Sequence, residues 1–341
     1  MANPLDPGRS SRLAGPMRML VLGGTAWLGH TVGQEAQRRG HDVTCLARGS
    51  ADPPAGSTLV VADRDLDDGL AAVSGETWDA VVDVTRHPGH ARRAVRDLRT
   101  AHRVLVSTGN VYAAFDTVEQ SEESPLRGPL DGDLMTDMEV YGEAKVACEN
   151  AVRDADGPAA IVRSGLIGGP GDWSGRTGYW PWRFAHPVGE RVVVPDDLDF
   201  PCAVIDVRDL ANWLVTAAED RLDGTFNATG PTTPLHEVLA TSAQVAGSSA
   251  IPLPVGRERL AELGVDAWMG PASLPLWIDD PEWRGFATMD TSSARALGLV
   301  TRPLEDTLRD TLAYEEVRTV PRRAGLTDDD ERRVQEAVLG G

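Results

Sequence analysis

Short apolar runs alternate with longer mixed segments along the first half of the chain. Six of these runs lie within the segments MRMLVLGG, HDVTCLARG, TLVVADRD, DAVVDVTR, HRVLVSTGN and AAIVRSGLI. Between the first two runs, Leu28, Val32 and Ala36 recur at helical spacing, and Gly40 provides a stop signal. Uninterrupted apolar strands that alternate with helices are typical of a parallel sheet covered on both faces. The pattern therefore predicts an α/β fold with a doubly wound parallel sheet.

The texture of the sequence changes after the sixth run. The segment GGPGDWSGRTGYWPW is rich in glycine, proline and aromatic residues, and the regular alternation stops there. We therefore expect a sheet domain over residues 17–167, with a return segment near residues 201–219, and a smaller C-terminal substrate-binding lobe over residues 168–320. Residues 1–16 are expected to form a disordered leader. Residues 321–341 predict a C-terminal helix with acidic residues in its first turn.

The composition limits the classes of partner. The chain has 341 residues and a net charge of -19, which argues against binding to nucleic acid or to an anionic membrane surface. Its three cysteines form no CxxC pair, and no apolar run approaches the length of a membrane-spanning helix. We expect a cytoplasmic protein without a metal site, a monomer or a homodimer, whose partner is a small-molecule substrate.

A glycine-rich turn follows the first predicted strand. In LVLGGTAWLGH, the residues Gly23, Ala26 and Gly29 are spaced three apart, with alanine where a glycine is usual. Backbone N–H groups and the helix dipole at such a turn hold a pyrophosphate in Rossmann-type folds. The second strand ends in CLARGS without an acidic residue, and Arg48 and Ser50 are suited to a ribose 2′-phosphate. The expected cofactor is therefore NADP, with NAD as the alternative.

One lysine stands out among the cations. Lys145 is the only lysine among the 33 lysines and arginines, and it follows Tyr141 by four residues in YGEAK. This spacing puts both side chains on one face of a helix. A tyrosine hydroxyl is a poor acid or base at neutral pH unless a nearby cation stabilises its anion. A lysine ammonium can do so while it also donates to a sugar hydroxyl, a task less suited to a planar guanidinium. The pair predicts proton transfer beside a ribose.

Together these segments resemble the extended (atypical) short-chain dehydrogenase/reductase family, which includes NAD(P)-dependent epimerases and dehydratases. The likeness runs from about Met17 to Val320. Four motifs match in order, namely GGTAWLG as the glycine loop, VSTGNVY as the fifth strand, YGEAK as the catalytic Tyr-x-x-x-Lys and IVRSGLIGGP as the sixth strand. The resemblance implies a Rossmann-type fold and an NAD(P)-dependent enzyme.

The resemblance also implies roles for individual residues. Thr108 is expected to help to hold the substrate oxygen, Tyr141 to exchange a proton with it, and Lys145 to bond the nicotinamide ribose. The implied cofactor contacts are Gly23, Thr25, Ala26, Trp27, Leu28, Gly29, Arg48, Asp63, Arg64, Thr85, Ser107, Lys145 and Ser164. The implied substrate contacts are Tyr112, Leu166 and Trp180.

Several of these positions have a structural alternative. Asp63 is suited to accept from the adenine amino group, and equally to cap the helix that follows it. Leu166 stands where sugar-nucleotide members commonly carry asparagine, and it fits either a pocket wall or a buried strand. The tryptophans around Trp180 fit an apolar substrate pocket or packing between the lobes. His87 and His90 in RHPGH are more typical of a solvated loop than of a metal site.

Three functions remain open. The sequence favours an NADP-dependent oxidoreductase that reduces the carbonyl of a small, neutral, largely apolar or aromatic substrate. The first alternative is a sugar-nucleotide epimerase or dehydratase with tightly bound NAD, in which Arg176 and Arg183 would meet the diphosphate. The second is a non-catalytic cofactor sensor or RNA-binding relative. The intact Thr108, Tyr141 and Lys145 argue against a sensor, and the net negative charge argues against RNA.

Overall fold

A computed structural model describes residues 15–340, so residues 1–14 of the predicted leader lie outside the described residues. The helices are α1 Trp27–Arg38, α2 Ala71–Ser74, α3 Pro88–Asp97, α4 Tyr141–Arg153, α5 Arg176–Ala185, α6 Val207–Glu219, α7 Leu235–Ala246, α8 Arg257–Glu262, α9 Ser292–Ala296, α10 Leu304–Glu316 and α11 Asp328–Leu339. The strands are β1 Arg18–Leu22, β2 Asp42–Ala47, β3 Thr58–Val61, β4 Thr77–Trp78, β5 Ala80–Asp83, β6 Arg99–Thr100, β7 Arg103–Thr108, β8 Ala159–Ser164, β9 Leu166–Gly168, β10 Arg191–Pro195, β11 Pro201–Cys202, β12 Val204–Asp206, β13 Gly224–Ala228, β14 Thr233–Pro234, β15 Ile251–Val255, β16 Asp266–Ala267 and β17 Ser273–Leu274.

The central sheet has seven parallel strands in the order β13, β8, β7, β5, β1, β2, β3. Each of the six apolar runs in the sequence contributes one strand. Strand β1 lies between β5 and β2, so the sheet grows outward from β1 in both directions. In such sheets the ligand cleft opens at this switch point, beyond the carboxyl ends of the strands. The predicted Rossmann-type α/β fold is confirmed.

Helices cover both faces of the sheet. On one face Met19 and Val21 pack with α1 and α6, and Trp213 of α6 is fully buried there. On the other face Leu20 and Leu22 belong to a separate apolar cluster, and α3 and α4 cover the neighbouring strands β7 and β8. Two covered faces explain why these strands are apolar at nearly every position, since successive side chains point to opposite faces.

The chain returns to the central sheet within the predicted segment through a helix, and the strand that joins the sheet comes later. Residues 201–219 form β11, β12 and α6, of which α6 packs on the central sheet while β12 pairs with β9 in a separate two-stranded sheet. The seventh strand of the central sheet is β13, which pairs with β8 from Gly224 opposite Ala160 to Ala228 opposite Ser164. Its sequence GTFNA is short and partly polar, so it does not stand out as an apolar run.

The second lobe has its own apolar core. Trp180 and Phe184 of α5 are buried among apolar side chains of α7 and of the parallel pair β10 and β15. The C-terminal helix is α11, which begins with a capping box between Thr327 and Asp330 and has four acidic residues in its first turn. No helix within residues 15–340 is both long enough and apolar enough to cross a membrane.

Candidate active site

A cleft opens at the carboxyl ends of β1, β2, β3 and β5. Its volume, including the open mouth, is about 1070 Å³. The lining includes seven of the predicted cofactor contacts, namely Gly23, Thr25, Ala26, Arg48, Asp63, Arg64 and Thr85. The sequence therefore located the cleft, because the carboxyl ends of parallel strands meet at one edge of the sheet.

Close packing explains the glycines between β1 and α1. A Cβ atom on Gly29 would lie 2.3 Å from the carbonyl oxygen of Gly23, and one on Gly24 would lie 2.5 Å from Sγ of Cys45. Gly23 has a φ of +89°, a conformation that favours glycine. No side chain caps α1 at Ala26, and no acidic residue lies in its first turn. The first N–H groups of α1 are therefore suited to an anion such as a pyrophosphate.

The indole of Trp27 joins this turn to the second lobe. Its Nε1 donates to the carbonyl oxygen of Pro170 at 2.8 Å. The next residue, Gly171, has a φ of +91°, and a Cβ atom there would lie 2.7 Å from Nε1 of Trp27. Leu28 packs against the apolar core beneath the sheet. Of these two predicted cofactor contacts, Trp27 has a side chain that bridges the lobes and Leu28 has one that packs in the core.

Three predicted residues surround the outer end of the cleft. The side chains of Arg48 and Asp63 are both exposed. Asp63 lines the cleft and accepts from the backbone N–H of Asp65 at 3.0 Å, but it caps no helix, because α2 begins only at Ala71 with Leu70 before it. Arg64 is different, because its guanidinium donates to both carboxylate oxygens of Asp83 at 2.8 and 2.7 Å. That side chain is buried and is engaged in an ion pair.

His87 and His90 line the same cleft, with ring centroids 4.9 Å apart. Nδ1 of His90 lies 3.1 Å from Oγ1 of Thr85, and its Nε2 lies 2.7 Å from Oδ1 of Asp65. Burial lowers the pKa of both histidines, and the positive charge of Arg64 lowers the pKa of His90 further. Within residues 15–340, no group of three or more His, Cys, Asp or Glu side chains is placed to hold a metal ion.

Tyr141 is the first residue of α4, and Lys145 lies one turn later. Nζ of Lys145 is 5.9 Å from the centroid of the Tyr141 ring. The lysine side chain is buried, and its Nζ donates to the carbonyl oxygens of Thr85 and Val106, each at 2.6 Å. Thr85 follows β5 and Val106 lies near the end of β7, so the ammonium is held at the carboxyl ends of these two central strands. An ammonium has three N–H donors, which leaves one for a ligand.

Thr108 ends the strand next to this lysine. Its Oγ1 accepts from the backbone N–H of Asn110 at 3.2 Å, so its own O–H group remains able to donate. The start of α4 packs directly on this turn, since a Cβ atom on Gly142 would lie 2.2 Å from the carbonyl oxygen of Asn110. The structure thus places Thr108, Tyr141 and Lys145 in one region beside the cleft.

A buried polar network fixes α4 behind these residues. Glu149 is fully buried and accepts from Oγ of Ser107 at 2.5 Å and from the guanidinium of Arg163 at 2.9 and 3.1 Å. Burial alone would raise the pKa of Glu149, but Arg163 holds that pKa below its usual value. Oγ of Ser164 donates to the carbonyl oxygen of Ser107 at 3.1 Å. The side chains of Ser107 and Ser164, both predicted cofactor contacts, are therefore engaged in internal hydrogen bonds.

The predicted substrate contacts lie deeper than expected. Tyr112 is fully buried, and its hydroxyl donates to Oδ1 of Asn227 at 2.6 Å and lies 3.3 Å from Nη1 of Arg163. Trp180 is also fully buried, and Leu166 belongs to the core of the second lobe. A side chain with no accessible surface cannot contact a substrate. Tyr112 and Trp180 therefore contribute to the packing of the protein interior. For Trp180 the packing alternative is the one that the structure supports.

A cation and a group of aromatic rings near Tyr141 come from segments far apart in the sequence. Arg176 begins α5, and burial lowers the pKa of its guanidinium, an effect that the nearby Asp172 and Tyr141 only partly offset. Its guanidinium stacks 5.0 Å from the ring centroid of Trp268, which is 5.2 Å from the ring of Phe286. Sequence reasoning did not identify Trp268 or Phe286, because no local spacing links the three segments.

The same aromatic group reaches the turn after Thr108. Phe286 is 4.9 Å from Phe115 and 5.2 Å from Trp283, measured between ring centroids. It also packs in the cluster that contains Val146, the residue after Lys145. The aromatic group is therefore continuous with the start of α4.

Comparisons with known proteins agree with this architecture. No family model matches the chain. The chain is 28% identical over 239 residues to a 3-diazoavenalumate denitrifying reductase from a Streptomyces species, a match that covers 62% of this chain and 76% of that protein.

Solved structures match over most of the chain. A candidate epimerase from Burkholderia cenocepacia has a TM-score of 0.67 at 22% identity, with 88% of this chain and 98% of that chain covered. The Bordetella bronchiseptica enzyme WbmG in complex with NAD has a TM-score of 0.63 at 17% identity, with 90% and 96% covered. UDP-glucose 4-epimerase from Thermus thermophilus in complex with NAD has a TM-score of 0.63 at 17% identity, with 89% and 100% covered. The predicted resemblance is confirmed: the chain has the fold of the extended short-chain dehydrogenase/reductase, or NAD-dependent epimerase/dehydratase, enzymes.

Proposed function

We propose that this protein is an NADP-dependent oxidoreductase of the short-chain dehydrogenase/reductase type, which reduces the carbonyl of a small, largely apolar or aromatic substrate. The observation that carries the proposal is the placement of Lys145. Its Nζ is held by two carbonyl oxygens at 2.6 Å, one turn from Tyr141, and it keeps one N–H donor for a ribose. One of these two carbonyl oxygens belongs to Thr85, which lines the cleft, so the ammonium lies next to the cleft as well as next to Tyr141.

The residues around the cleft fit a dinucleotide. The uncapped start of α1 would bind the pyrophosphate, Arg48 and Ser50 would contact the 2′-phosphate, and Lys145 would donate to the nicotinamide ribose. When bound, the reduced nicotinamide supplies a hydride for the carbonyl carbon. The protein supplies the position and the proton.

Proton transfer is assigned to Tyr141. Its phenolic O–H donates the proton to the substrate oxygen, while the O–H of Thr108 donates a hydrogen bond to the same oxygen. The tyrosinate that remains is stabilised by the ammonium of Lys145, whose Nζ lies 5.9 Å from the ring centroid. Solvent then returns a proton to Tyr141, since this residue is partly exposed.

The preference for NADP rests on the end of β2. Arg48 and Ser50 both line the cleft, and the strand ends in LAR without the carboxylate that would accept from a 2′-hydroxyl. Arg86 lines the cleft as well, so the outer end of the cleft carries two exposed arginines. A phosphate has the charge that such a pair binds.

Reduction is favoured over epimerisation by two observations. The Streptomyces relative is named as a reductase, and at 28% identity it is closer in sequence than the structural neighbours quoted above. Leu166 is buried in the core of the second lobe, so no side-chain amide is available at the position where sugar-nucleotide members commonly carry an asparagine. The NAD-bound UDP-glucose 4-epimerase of the same fold supports the alternative of a sugar-nucleotide epimerase.

The test separates these two reactions. The purified protein is incubated with NADPH and a panel of aryl ketones and aldehydes, and NADPH absorbance is followed. In parallel, UDP- and dTDP-sugars are incubated with the protein and the products are analysed. Reduction of at least one aryl carbonyl with stoichiometric NADPH consumption supports the proposal. Efficient epimerisation or dehydration of a sugar nucleotide without net NADPH consumption would falsify it.

A further inference from the structure

Arg176 differs from the buried arginines of this protein in its partners. Arg64, Arg163 and Arg183 each pair with a carboxylate, from Asp83, Glu149 and Asp328 respectively. Arg176 forms no ion pair within residues 15–340, although 52 acidic residues occur in the sequence. Its side-chain hydrogen bond is from Nε to Oγ of Ser174 at 3.2 Å.

The acidic residue beside Arg176 is already occupied. Both carboxylate oxygens of the buried Asp172 accept from the segment after it, Oδ1 from Ser174 and Oδ2 from Thr177. Asp172 therefore holds the start of α5 and makes no hydrogen bond to the guanidinium. The two terminal nitrogens of Arg176 keep their donors free, at a half-buried position where an unpaired cation is unfavourable.

Trp268 completes the setting of this cation. The guanidinium lies 5.0 Å from the Trp268 ring centroid, which fixes the plane of the side chain. Trp268 has a φ of +66°, which is rare for a bulky residue and is typical of strain kept at functional sites. Phe286 stands edge-on to this ring at 5.2 Å. A planar fork of donors thus lies beside aromatic rings, and Phe286 packs in the same cluster as Val146 of α4, the helix that begins at Tyr141.

We propose that Arg176 binds a carboxylate of the substrate, whose aromatic body lies against Trp268 and Phe286 while its reducible group reaches Tyr141. This inference rests on the proposed reductase function and narrows it to planar aromatic acids. It departs from the neutral substrate that the sequence favoured, because only the fold shows that Arg176 lacks a carboxylate partner. A carboxylate matches the two parallel N–H donors of a guanidinium.

The first experiment measures binding without turnover. The protein saturated with NADP⁺ is titrated calorimetrically with cinnamate, with the neutral isostere cinnamamide and with UDP. We expect cinnamate to bind at least about ten-fold more tightly than cinnamamide, because only the carboxylate can form a charge-assisted hydrogen bond with the guanidinium of Arg176. Arg176→Gln should abolish that preference, and Arg176→Lys should keep part of it. Arg257→Gln, which changes an exposed arginine of the same lobe, should leave it intact.

Two outcomes of the titration overturn the inference. One is that cinnamate binds no better than cinnamamide to the unmodified protein. The other is that UDP binds more tightly than cinnamate and loses its affinity in Arg176→Gln, which would assign the arginine to a diphosphate. Circular dichroism spectra of both Arg176 variants check that the fold is retained, and the lysine variant tests the charge if the glutamine variant unfolds.

The second experiment separates this inference from the proposed function. NADPH oxidation is followed with 4-formylbenzoate and with its methyl ester. A preference for the acid in kcat/KM that disappears in Arg176→Gln, through a higher KM, supports both ideas. If the acid and the ester are reduced with equal kcat/KM and Arg176→Gln changes neither value, the reductase function is retained and the carboxylate site is rejected. If cinnamate binding depends on Arg176 but no carbonyl compound is reduced, the carboxylate site is retained and the reductase function is rejected.

Discussion

Arginine cannot replace Lys145 at its position, because the contacts of the lysine require a small ammonium group. Its ammonium is buried, holds two carbonyl oxygens at 2.6 Å and still has a donor left for a ligand beside Tyr141. A guanidinium is larger and planar, so it cannot contact both carbonyls and a third acceptor in the same space. Every other cationic side chain of this kind in the sequence is an arginine, and the chemistry proposed for this site accounts for the exception.

We expect Tyr141→Phe to lose most turnover while it still binds NADPH, because the change removes the proton and leaves the cleft intact. One general acid contributes about 10²- to 10⁴-fold, so kcat should fall by at least that order. Lys145→Arg should impair both turnover and cofactor binding. Steady-state rates and NADPH titration measure these effects, with Tyr314→Phe on α10 as the control. Retention of more than about a tenth of the activity by Tyr141→Phe would exclude the tyrosine as the acid.

Arg48 is expected to select the cofactor. NADPH should bind more tightly than NADH, and Arg48→Ala should narrow the gap by about 1.5 to 3 kcal/mol, the range of a hydrogen bond to a charged group. Calorimetric titration with both dinucleotides measures it, and Arg191→Ala, an exposed arginine of the second lobe, is the control. Equal affinity of the unmodified protein for the two dinucleotides would refute the NADP assignment.

At the scale of elements, the turn between β1 and α1 depends on backbone contact. Gly29 allows the first turn of α1 to approach the end of β1, because even one added carbon would lie 2.3 Å from the carbonyl oxygen of Gly23. The helix start is consequently positioned by packing, and its N–H groups are held where the strand ends. The sequence showed the glycine spacing, and the structure shows which atoms require it.

Gly29→Ala should therefore displace α1 and weaken the cofactor site. Overpacking of this kind costs about 1 to 3 kcal/mol in the free energy of unfolding, and NADPH affinity should fall with it. Gly75→Ala is the matched control, since a Cβ atom there would meet nothing within 4 Å and its φ is negative. Denaturant unfolding and NADPH titration measure the two effects. Wild-type affinity in Gly29→Ala would show that the turn does not need this close approach.

Helix α4 depends on the buried pair of Glu149 and Arg163. Removing one partner leaves the other charge buried, so Glu149→Gln should lower the free energy of unfolding by about 3 to 5 kcal/mol. The folded-state pKa of Glu149 lies below its usual value, so its stabilisation is present at neutral pH and is lost as the pH falls through the folded-state pKa. The unmodified protein should thus lose stability in acid more steeply than Glu149→Gln.

Urea unfolding of both proteins between neutral and acidic pH measures this difference. Glu336→Gln on α11 changes an exposed carboxylate and serves as the control. Parallel stability curves for the unmodified protein and Glu149→Gln would show that the pair does not carry the acid sensitivity.

At the scale of the whole molecule, one side chain connects the cofactor turn to the second lobe. Nε1 of Trp27 donates to the carbonyl oxygen of Pro170, and Gly171 makes room for the indole. In the proposed site, the second lobe would provide Arg176 and Trp268, and the sheet domain would provide Thr108, Tyr141 and Lys145. The proposed site therefore needs both lobes in place.

We expect Trp27→Phe to keep an aromatic ring and lose the hydrogen bond, which lowers the free energy of unfolding by about 0.5 to 1.5 kcal/mol. NADPH at about one hundred times its Kd should stabilise the unmodified protein by about 2.7 kcal/mol. Thermal unfolding with and without NADPH measures both, with Trp173→Phe at an exposed position as the control. An unchanged Tm for Trp27→Phe would show that the hydrogen bond between the indole and Pro170 does not contribute to stability.

The sequence by itself determined the sheet, and it located the glycine-rich turn and the pair of Tyr141 and Lys145. These features are local, because an apolar strand, a strand–glycine–helix turn and a Tyr-x-x-x-Lys spacing each lie within a few residues. The strand β13 escaped detection, since a short edge strand that begins with glycine and contains polar residues carries little periodic signal.

Only the tertiary structure decided what surrounds Tyr141 and Lys145. Tyr112 and Trp180 looked like substrate contacts from their positions in the sequence, but packing buries both and gives their polar groups to internal partners. Arg176, Trp268 and Phe286 come from three distant segments, and a contact between distant segments leaves no spacing in the sequence. Whether an arginine has a carboxylate partner is likewise a property of the folded chain, because any of 52 acidic residues could have been its partner.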